Sequence, residues 1–197
     1  MFTGIIKKRG IVKKIISNKK EIKIGIKSSL KLTNKDLGSS INCSGVCLTL
    51  EKIHKGVYYF HLTRETLRVT NFKSIKLNQI INLEKSLKFG NEISGHFVQG
   101  HIDTTSSVNK IQQLGKSWLI NFKLSKKYRK YLMQKGSITI NGISLTIVKI
   151  LKDGFQISII PRTLETTNLV YLKEKKFVNV ELDVLGKYIK NFIKLRK

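Results

Sequence analysis

The sequence predicts a mainly β protein, a tandem duplication of one small barrel with a helix at its C-terminal end. Three observations carry this. The 197-residue chain matches itself at an offset of 97. Each half holds short runs with the two-residue period of a strand. The last stretch changes to helical spacing.

The self-match comes in blocks. Ser40-Ile41-Asn42-Cys43-Ser44-Gly45-Val46-Cys47-Leu48-Thr49-Leu50 aligns with Ser137-Ile138-Thr139-Ile140-Asn141-Gly142-Ile143-Ser144-Leu145-Thr146-Ile147. Thr66-Leu67 falls on Thr163-Leu164, Thr70-Asn71 on Thr167-Asn168, and Asn82-Leu83-Glu84 on Asn179-Val180-Glu181. With the offset shortened by one, Gly4-Ile5-Ile6 falls on Gly100-His101-Ile102 and Val12 on Val108. A unit of just under a hundred residues suits one small domain. The division expected is residues 1–86, residues 87–183 and a tail, 184–197.

Within the units, Glu21 to Lys27 alternates apolar and polar residues. Val57 to Leu62 and Phe155 to Ile160 are rich in β-branched and aromatic residues, as strands are. Several short strands per half are best served by closure, which removes open edges. Ser125 to Gln134 reads as a short helix with Tyr128, Tyr131 and Leu132 inward, ending at Gly136. From Val184 to Leu195, Leu185, Tyr188, Ile189, Phe192 and Ile193 form an apolar stripe on a basic helix. That stripe either docks on its own barrel or packs against another subunit, and a helix left over after two closed barrels favours the second. A calmodulin-like or membrane-surface role ranks third.

The repeated strand contains a phase break. Ile138 and Ile140 share a face, but after Asn141-Gly142 the apolar positions become Ile143, Leu145 and Ile147. Ile41 and Cys43, then Ser44-Gly45, then Val46, Leu48 and Leu50 do the same. A glycine β-bulge is the simplest device, and a tight turn competes with it. Either way Cys47 and Thr49 in one half, and Ser144 and Thr146 in the other, face away from the core. An ordinary solvent face is the usual fate of such residues. Yet this chain places lysine at many exposed positions and spared these two pairs.

Composition excludes several classes. Hydrophobic residues make up 41%, enough for a core, and no apolar run approaches a membrane span. The start lacks the apolar stretch of a signal peptide, so a cytoplasmic protein is expected. Cys43 and Cys47 are too few for a disulfide scaffold. The net charge of +26 invites a nucleic-acid reading. However, 32 of the 38 basic residues are lysine, alanine is absent, and isoleucine and asparagine abound. That pattern matches AT-rich coding bias. The lysines are scattered from Lys7, Lys8, Lys13 and Lys14 onward, whereas nucleic-acid sites focus arginine forks and stacking aromatics. No specific nucleic-acid partner is expected.

His96 and His101 flank Phe97-Val98-Gln99-Gly100 without the further ligands a metal site needs. No metal is expected. His54 and His61 read as structural or surface residues. His101 stands where the first copy has Ile5, so the copies diverge beside a repeated glycine, and a histidine there can shuttle protons. No phosphate loop or nucleophile elbow is present, so no cofactor is called for.

Four segments in order name a family: Met1-Phe2-Thr3-Gly4-Ile5-Ile6, Ser40 to Thr49, Gly95-His96-Phe97-Val98-Gln99-Gly100-His101, and Gly136 to Thr146. Together they resemble riboflavin synthases of the alpha-chain type, over essentially the whole chain. The resemblance implies two six-stranded Greek-key barrels and a C-terminal helix that joins three subunits. It implies a dismutation of two molecules of 6,7-dimethyl-8-ribityllumazine into riboflavin and 5-amino-6-ribitylamino-pyrimidinedione. No cofactor is needed, and the site forms between unlike barrels of neighbouring subunits. By resemblance His101, Ser144, Thr146, Cys47 and Asp183 are the catalytic candidates. Phe2, Thr3, Gly4, Ser40, Thr49, Glu65, Thr66, His96, Lys135, Asn141 and Thr163 are the substrate-binding candidates. A homotrimer is implied, with lumazine synthase as a further partner. The alternative within the fold is a non-catalytic lumazine or flavin antenna. Departures are Ser44 where the first half commonly has Asn, Asn141 where Asp is frequent, and Lys7-Lys8 replacing a commonly acidic pair.

Overall fold

The computed structural model describes residues 1–17 and 22–195. Glu21, part of the first alternating run, and the last two residues of the tail lie outside them. Six strands, β1 (Lys8–Ser17), β2 (Ile22–Ser28), β3 (Ser40–Cys43), β4 (Val46–His54), β5 (Val57–Leu62) and β6 (Ile80–Lys85), close in the order β1-β2-β5-β4-β3-β6. The order is a Greek key, since β2 pairs with β5 and β3 with β6. The second half repeats it with β7 (Thr104–Leu114), β8 (Ser117–Lys123), β9 (Ser137–Ile140), β10 (Ile143–Leu151), β11 (Gly154–Ile159) and β12 (Phe177–Leu182). All pairings are antiparallel. The helices are α1 (Arg64–Val69), α2 (Lys126–Arg129), α3 (Pro161–Thr166) and α4 (Val184–Leu195).

Each barrel has its own core. Val12, Ile24, Ile26, Ile41, Leu50, Phe60 and Leu62 fill the first. In the second, Phe122 and Phe155 stack at 5.3 Å among Val108, Ile120, Ile138, Ile140 and Ile157. A fully buried side chain of this kind contributes about 1.5–3 kcal/mol.

The phase break is a tight turn, not a bulge. Cys43 pairs with Val46, and Ile140 with Ile143, leaving two-residue hairpin loops. Both loop residues have positive φ: 46° and 90° at Ser44-Gly45, 47° and 79° at Asn141-Gly142. This is the geometry of a type I′ turn, whose twist matches that of the flanking strands. Bulges do occur, farther along: register shifts fall between Val12 and Lys14, Leu50 and Lys52, Val108 and Lys110, and Ile147 and Lys149. They occupy equivalent places in both barrels, where extra twist helps closure.

The helix expected from Ser125 to Gln134 is shorter. Only Lys126–Arg129 is helical. Beyond it Tyr131 and Leu132 donate to Tyr128 and Arg129, three residues back, so the chain tightens into turns that end at Gly136. Tyr128, Tyr131 and Leu132 do pack against the core. α4 runs the full expected length. Its polar residues hold it: the Asp183 carboxylate accepts from the Leu185 N–H, Lys187 pairs with Asp103 at 3.0 Å, and Lys190 donates to the Lys130 carbonyl. Its apolar stripe is left in the open, with Ile189 at 61% and Phe192 at 62% exposure. Docking on its own barrel is therefore ruled out. Among the described residues no helix is long and apolar enough to cross a membrane.

Candidate active site

The two barrels meet across a pseudo-two-fold seam of asparagines. The Asn82 amide donates to the Asn141 carbonyl and the Asn179 amide to the Ser44 carbonyl, each at 2.9 Å. The Asn168 N–H donates to Asn82 Oδ1 and the Asn71 N–H to Asn179 Oδ1, each at 2.7 Å. The repeated Thr-Asn and Asn-x-Glu blocks are thus the two sides of one interface, and burial of these amides is tolerable because they are paired.

The segments leading into the barrels cross over. Gly4, at the start of the first, accepts through its carbonyl from the Ser144 N–H on β10 of the second, at 2.8 Å. Gly100, at the start of the second, accepts from the Cys47 N–H on β4 of the first, also at 2.8 Å. Both glycines have positive φ, 78° and 79°. A Cβ on Gly100 would lie 2.7 Å from the Cys47 Cβ, and one on Gly4 2.7 Å from the Ser144 Cβ. Only glycine allows this approach.

The first half-site forms around Cys47. Cys47, Glu65, Thr66, Gly100, His101 and Ile102 are among the residues lining a cavity of about 250 Å³. The Cys47 thiol is partly accessible, whereas Cys43 is fully buried. Burial pushes the Cys43 thiol well up, which leaves Cys47 as the thiol open to chemistry. Thr63 caps α1 by accepting from the Thr66 N–H, and this fixes Thr66 at the rim. Glu65 is exposed and accepts two bonds from Arg68, which hold its carboxyl below the ordinary range.

The second half-site forms around Ser144. Its hydroxyl lies 2.7 Å from His96 Nδ1, and His96 Nε2 lies 3.1 Å from the Thr139 hydroxyl. Burial lowers the His96 pKa, against the opposing charge of Asp183, so the ring is held neutral near pH 7. A neutral imidazole donates from one nitrogen and accepts at the other. The pair can therefore pass a proton between Ser144 and His96. Asp183 combines this electrostatic role with starting α4.

The predicted residues separate into these two places. Cys47, Glu65, Thr66 and His101 gather in the first half-site, and Ser144, His96 and Asp183 in the second. His101 and Ser144 thus belong to different half-sites within one chain, because the lead segments cross. Thr49 and Thr146 are exposed on the same strands, and Ser40 pairs with Thr49 in register. Phe2 is fully buried and bridges to Val98, while Thr3 accepts through its carbonyl from the His96 N–H. Thr163 lies on α3, equivalent to Thr66 on α1. Asn141 lies in the hairpin turn and seam. Lys135 is exposed in the turn before β9. Glu84 and Glu181, which bind the two crossing segments through their carboxylates, carry no role in the sequence reading. The signal for them was their place in the repeated Asn-x-Glu block.

A family model described as the lumazine binding domain matches this chain twice, over residues 3–86 and 99–183. The riboflavin synthase of Photobacterium leiognathi is 37% identical over 196 residues, covering 99% of this chain and 90% of its own. The chain belongs to the riboflavin synthase family. Riboflavin synthases of Buchnera aphidicola, 39% identical over 93% of this chain and 87% of their own, and of Bacillus subtilis, 33% over 98% and 90%, are further relatives in it. Among solved structures, LumP complexed with riboflavin superposes at TM-score 0.82 with 29% identity, covering 92% of this chain and 99% of that one. LumP complexed with 6,7-dimethyl-8-(1'-D-ribityl) lumazine gives 0.80 and 27%, with the same coverage. The riboflavin synthase family and LumP thus share this pair of barrels.

Proposed function

We infer that the chain catalyses the riboflavin synthase reaction, in which a four-carbon unit passes from one 6,7-dimethyl-8-ribityllumazine to another. The products are riboflavin and 5-amino-6-ribitylamino-pyrimidinedione. The observation that carries this is the pair of half-sites related by the repeat: two equivalent seats suit a reaction between two copies of one molecule. Holding the two rings in register replaces a random encounter, an effect worth up to about 7–11 kcal/mol. Cys47 and His101 serve one ring, and Ser144 with His96, Thr146 and Asp183 serves the other by moving protons.

The two seats place their charges differently. Glu65 and Arg68 form an ion pair on α1, and the equivalent positions on α3 carry Arg162 and Glu165 with the signs exchanged. Membership of the riboflavin synthase family supports a site shared between the first barrel of one subunit and the second barrel of another. The open apolar stripe of α4 supports a homotrimer joined by these helices, which sedimentation equilibrium tests: a monomer at micromolar concentration overturns it. The two free thiols suit the reducing cytoplasm.

The deciding experiment incubates purified protein with 6,7-dimethyl-8-ribityllumazine and no added cofactor. Riboflavin is expected to accumulate. Folded protein that binds the lumazine and fluoresces without forming riboflavin would instead be an antenna of the LumP kind.

A further inference from the structure

Glu84 on β6 and Glu181 on β12 are 3% and 1% exposed, in a chain with 32 lysines. Neither makes an ion pair within 4 Å among the described residues; their partners are backbone N–H groups and, for Glu84, the Thr3 hydroxyl. Glu84 Oε1 accepts from the Thr3 N–H and hydroxyl, both at 2.8 Å, and Oε2 from the Gly4 N–H at 3.1 Å. Glu181 Oε1 accepts from the Gln99 N–H at 2.7 Å, and Oε2 from the Gly100 N–H at 2.9 Å. Burying a carboxylate is costly, and for stability alone an apolar side chain often serves as well or better. A carboxylate is nevertheless the side chain suited to this place. Once ionised, which for Glu181 means above about pH 7, it offers two acceptor oxygens and no donor, whereas an amide would turn an NH₂ toward one of the two N–H groups.

What each carboxylate holds is one peptide away from the opposite half-site. Glu181 grips the turn whose Gly100 carbonyl takes the Cys47 N–H and whose next residue is His101. Glu84 grips the turn whose Gly4 carbonyl takes the Ser144 N–H and whose Thr3 carbonyl takes the His96 N–H. We propose that Glu84 and Glu181 are positioning residues, each setting the half-site built on the other barrel: Glu181 places Cys47 and His101, and Glu84 places Ser144 and His96. The two seats are thereby coupled through the fold. This proposal rests on the half-sites described above, but its readouts do not need turnover.

The test uses full-length Glu84→Gln and Glu181→Gln with two local probes. Alkylation by iodoacetamide reads Cys47, because Cys43 is fully buried. Imidazole chemical shifts in NMR read His96 and His101. Glu181→Gln is expected to change the Cys47 alkylation rate by about tenfold, as expected for losing a bond to a charged group, and to move His101. It should leave His96 in place. Glu84→Gln should move His96 and leave Cys47 alkylation within about twofold, well below that effect. If the lumazine reaction proceeds, both variants lower kcat more than they raise KM, and Glu→Asp, which keeps two acceptor oxygens, recovers part of it. Should a Gln variant fail to fold, the Asp variant carries the same pair of probes. Either probe responding to both variants alike, or neither responding in folded protein, overturns the proposal. Loss of riboflavin formation with the crossed pattern intact would count against the proposed reaction only.

Discussion

Compared position by position, the two hairpins that carry the half-sites diverge in some places and agree in others. Cys47 answers to Ser144, His101 to Ile5, Asn42 to Thr139 and Glu65 to Arg162. The positive-φ turn, the crossing glycine, the seam asparagines and the buried glutamate are the same in both. Around the cavities Cys47, His101 and Glu65 have changed between the copies, while the glycines, seam asparagines and glutamates that hold buried backbone have not; Asn42, whose Oδ1 takes the Gly45 N–H, and Ser44 are the exceptions. A cavity wall accepts any residue that leaves nothing unpaired. A buried N–H must keep an acceptor, and a left-handed turn must keep residues that tolerate it.

The sharpest way to break that equivalence is at the crossing glycines. Gly38 has φ +80° and nothing within 4 Å of where a Cβ would stand, so Gly38→Ala isolates the backbone cost of about 1–2 kcal/mol. Gly100→Ala and Gly4→Ala add a clash with β4 and β10 backbone, and are expected to cost several kcal/mol more in urea melts. Equal costs at all three would show that the crossing contacts are loose. The next effect separates the two glutamates by pH. Burial raises the Glu181 carboxyl from 4.5 to about 7, against the N–H bonds from Gln99 and Gly100. The folded chain then keeps a proton that the unfolded chain has released, and stability falls as pH rises from about 4.5 to 7. Glu181 accounts for about 3 kcal/mol of that fall, and melts of Glu181→Gln should lack this share. Glu84 is raised by the same cause.

The smallest effect concerns a seam position where the copies differ. Asn141 Oδ1 accepts from the Asn179 N–H, and its amide reaches Asn168 Oδ1 at 3.4 Å. Ser44 Oγ accepts from the Asn82 N–H and, at 3.3 Å, from the Asn168 amide, but the equivalent Asn71 Oδ1 is buried without a partner among the described residues. Ser44→Asn supplies the missing donor and suits φ 46° better. A gain of about 1 kcal/mol is expected, raising Tm by about 2–4 °C. No gain would mean that Asn71 Oδ1 is satisfied by water.

Much of this was legible in the residues. The repeat, the strand alternation and the length of α4 follow from periodicity alone. The turn geometry was not, because an Asn-Gly pair serves a bulge and a type I′ turn equally well. The extent of α2 was hidden because tightening to bonds three residues back leaves the apolar spacing unchanged. At the site, Cys47 and Ser144 stood out as uncharged residues on a lysine-rich chain. The partnership of Ser144 with His96 depends on a crossing of two distant segments, which no local pattern encodes. Glu84 and Glu181 were visible as repeated letters, but charged residues are normally solvated, and nothing in their spacing announces burial.

The crossing also bears on how the chain is born. On the ribosome all six strands of the first barrel are made before Gly100, so the Cys47 N–H lacks its native acceptor until the second unit begins. The clamp that fixes Gly100 lies 81 residues later still, on β12. Thr3 and Gly4, made before either barrel, wait for β10 before they can be seated. A nascent first half is thus a closed barrel with an unfinished mouth, and both seats are completed only once β12 has been made.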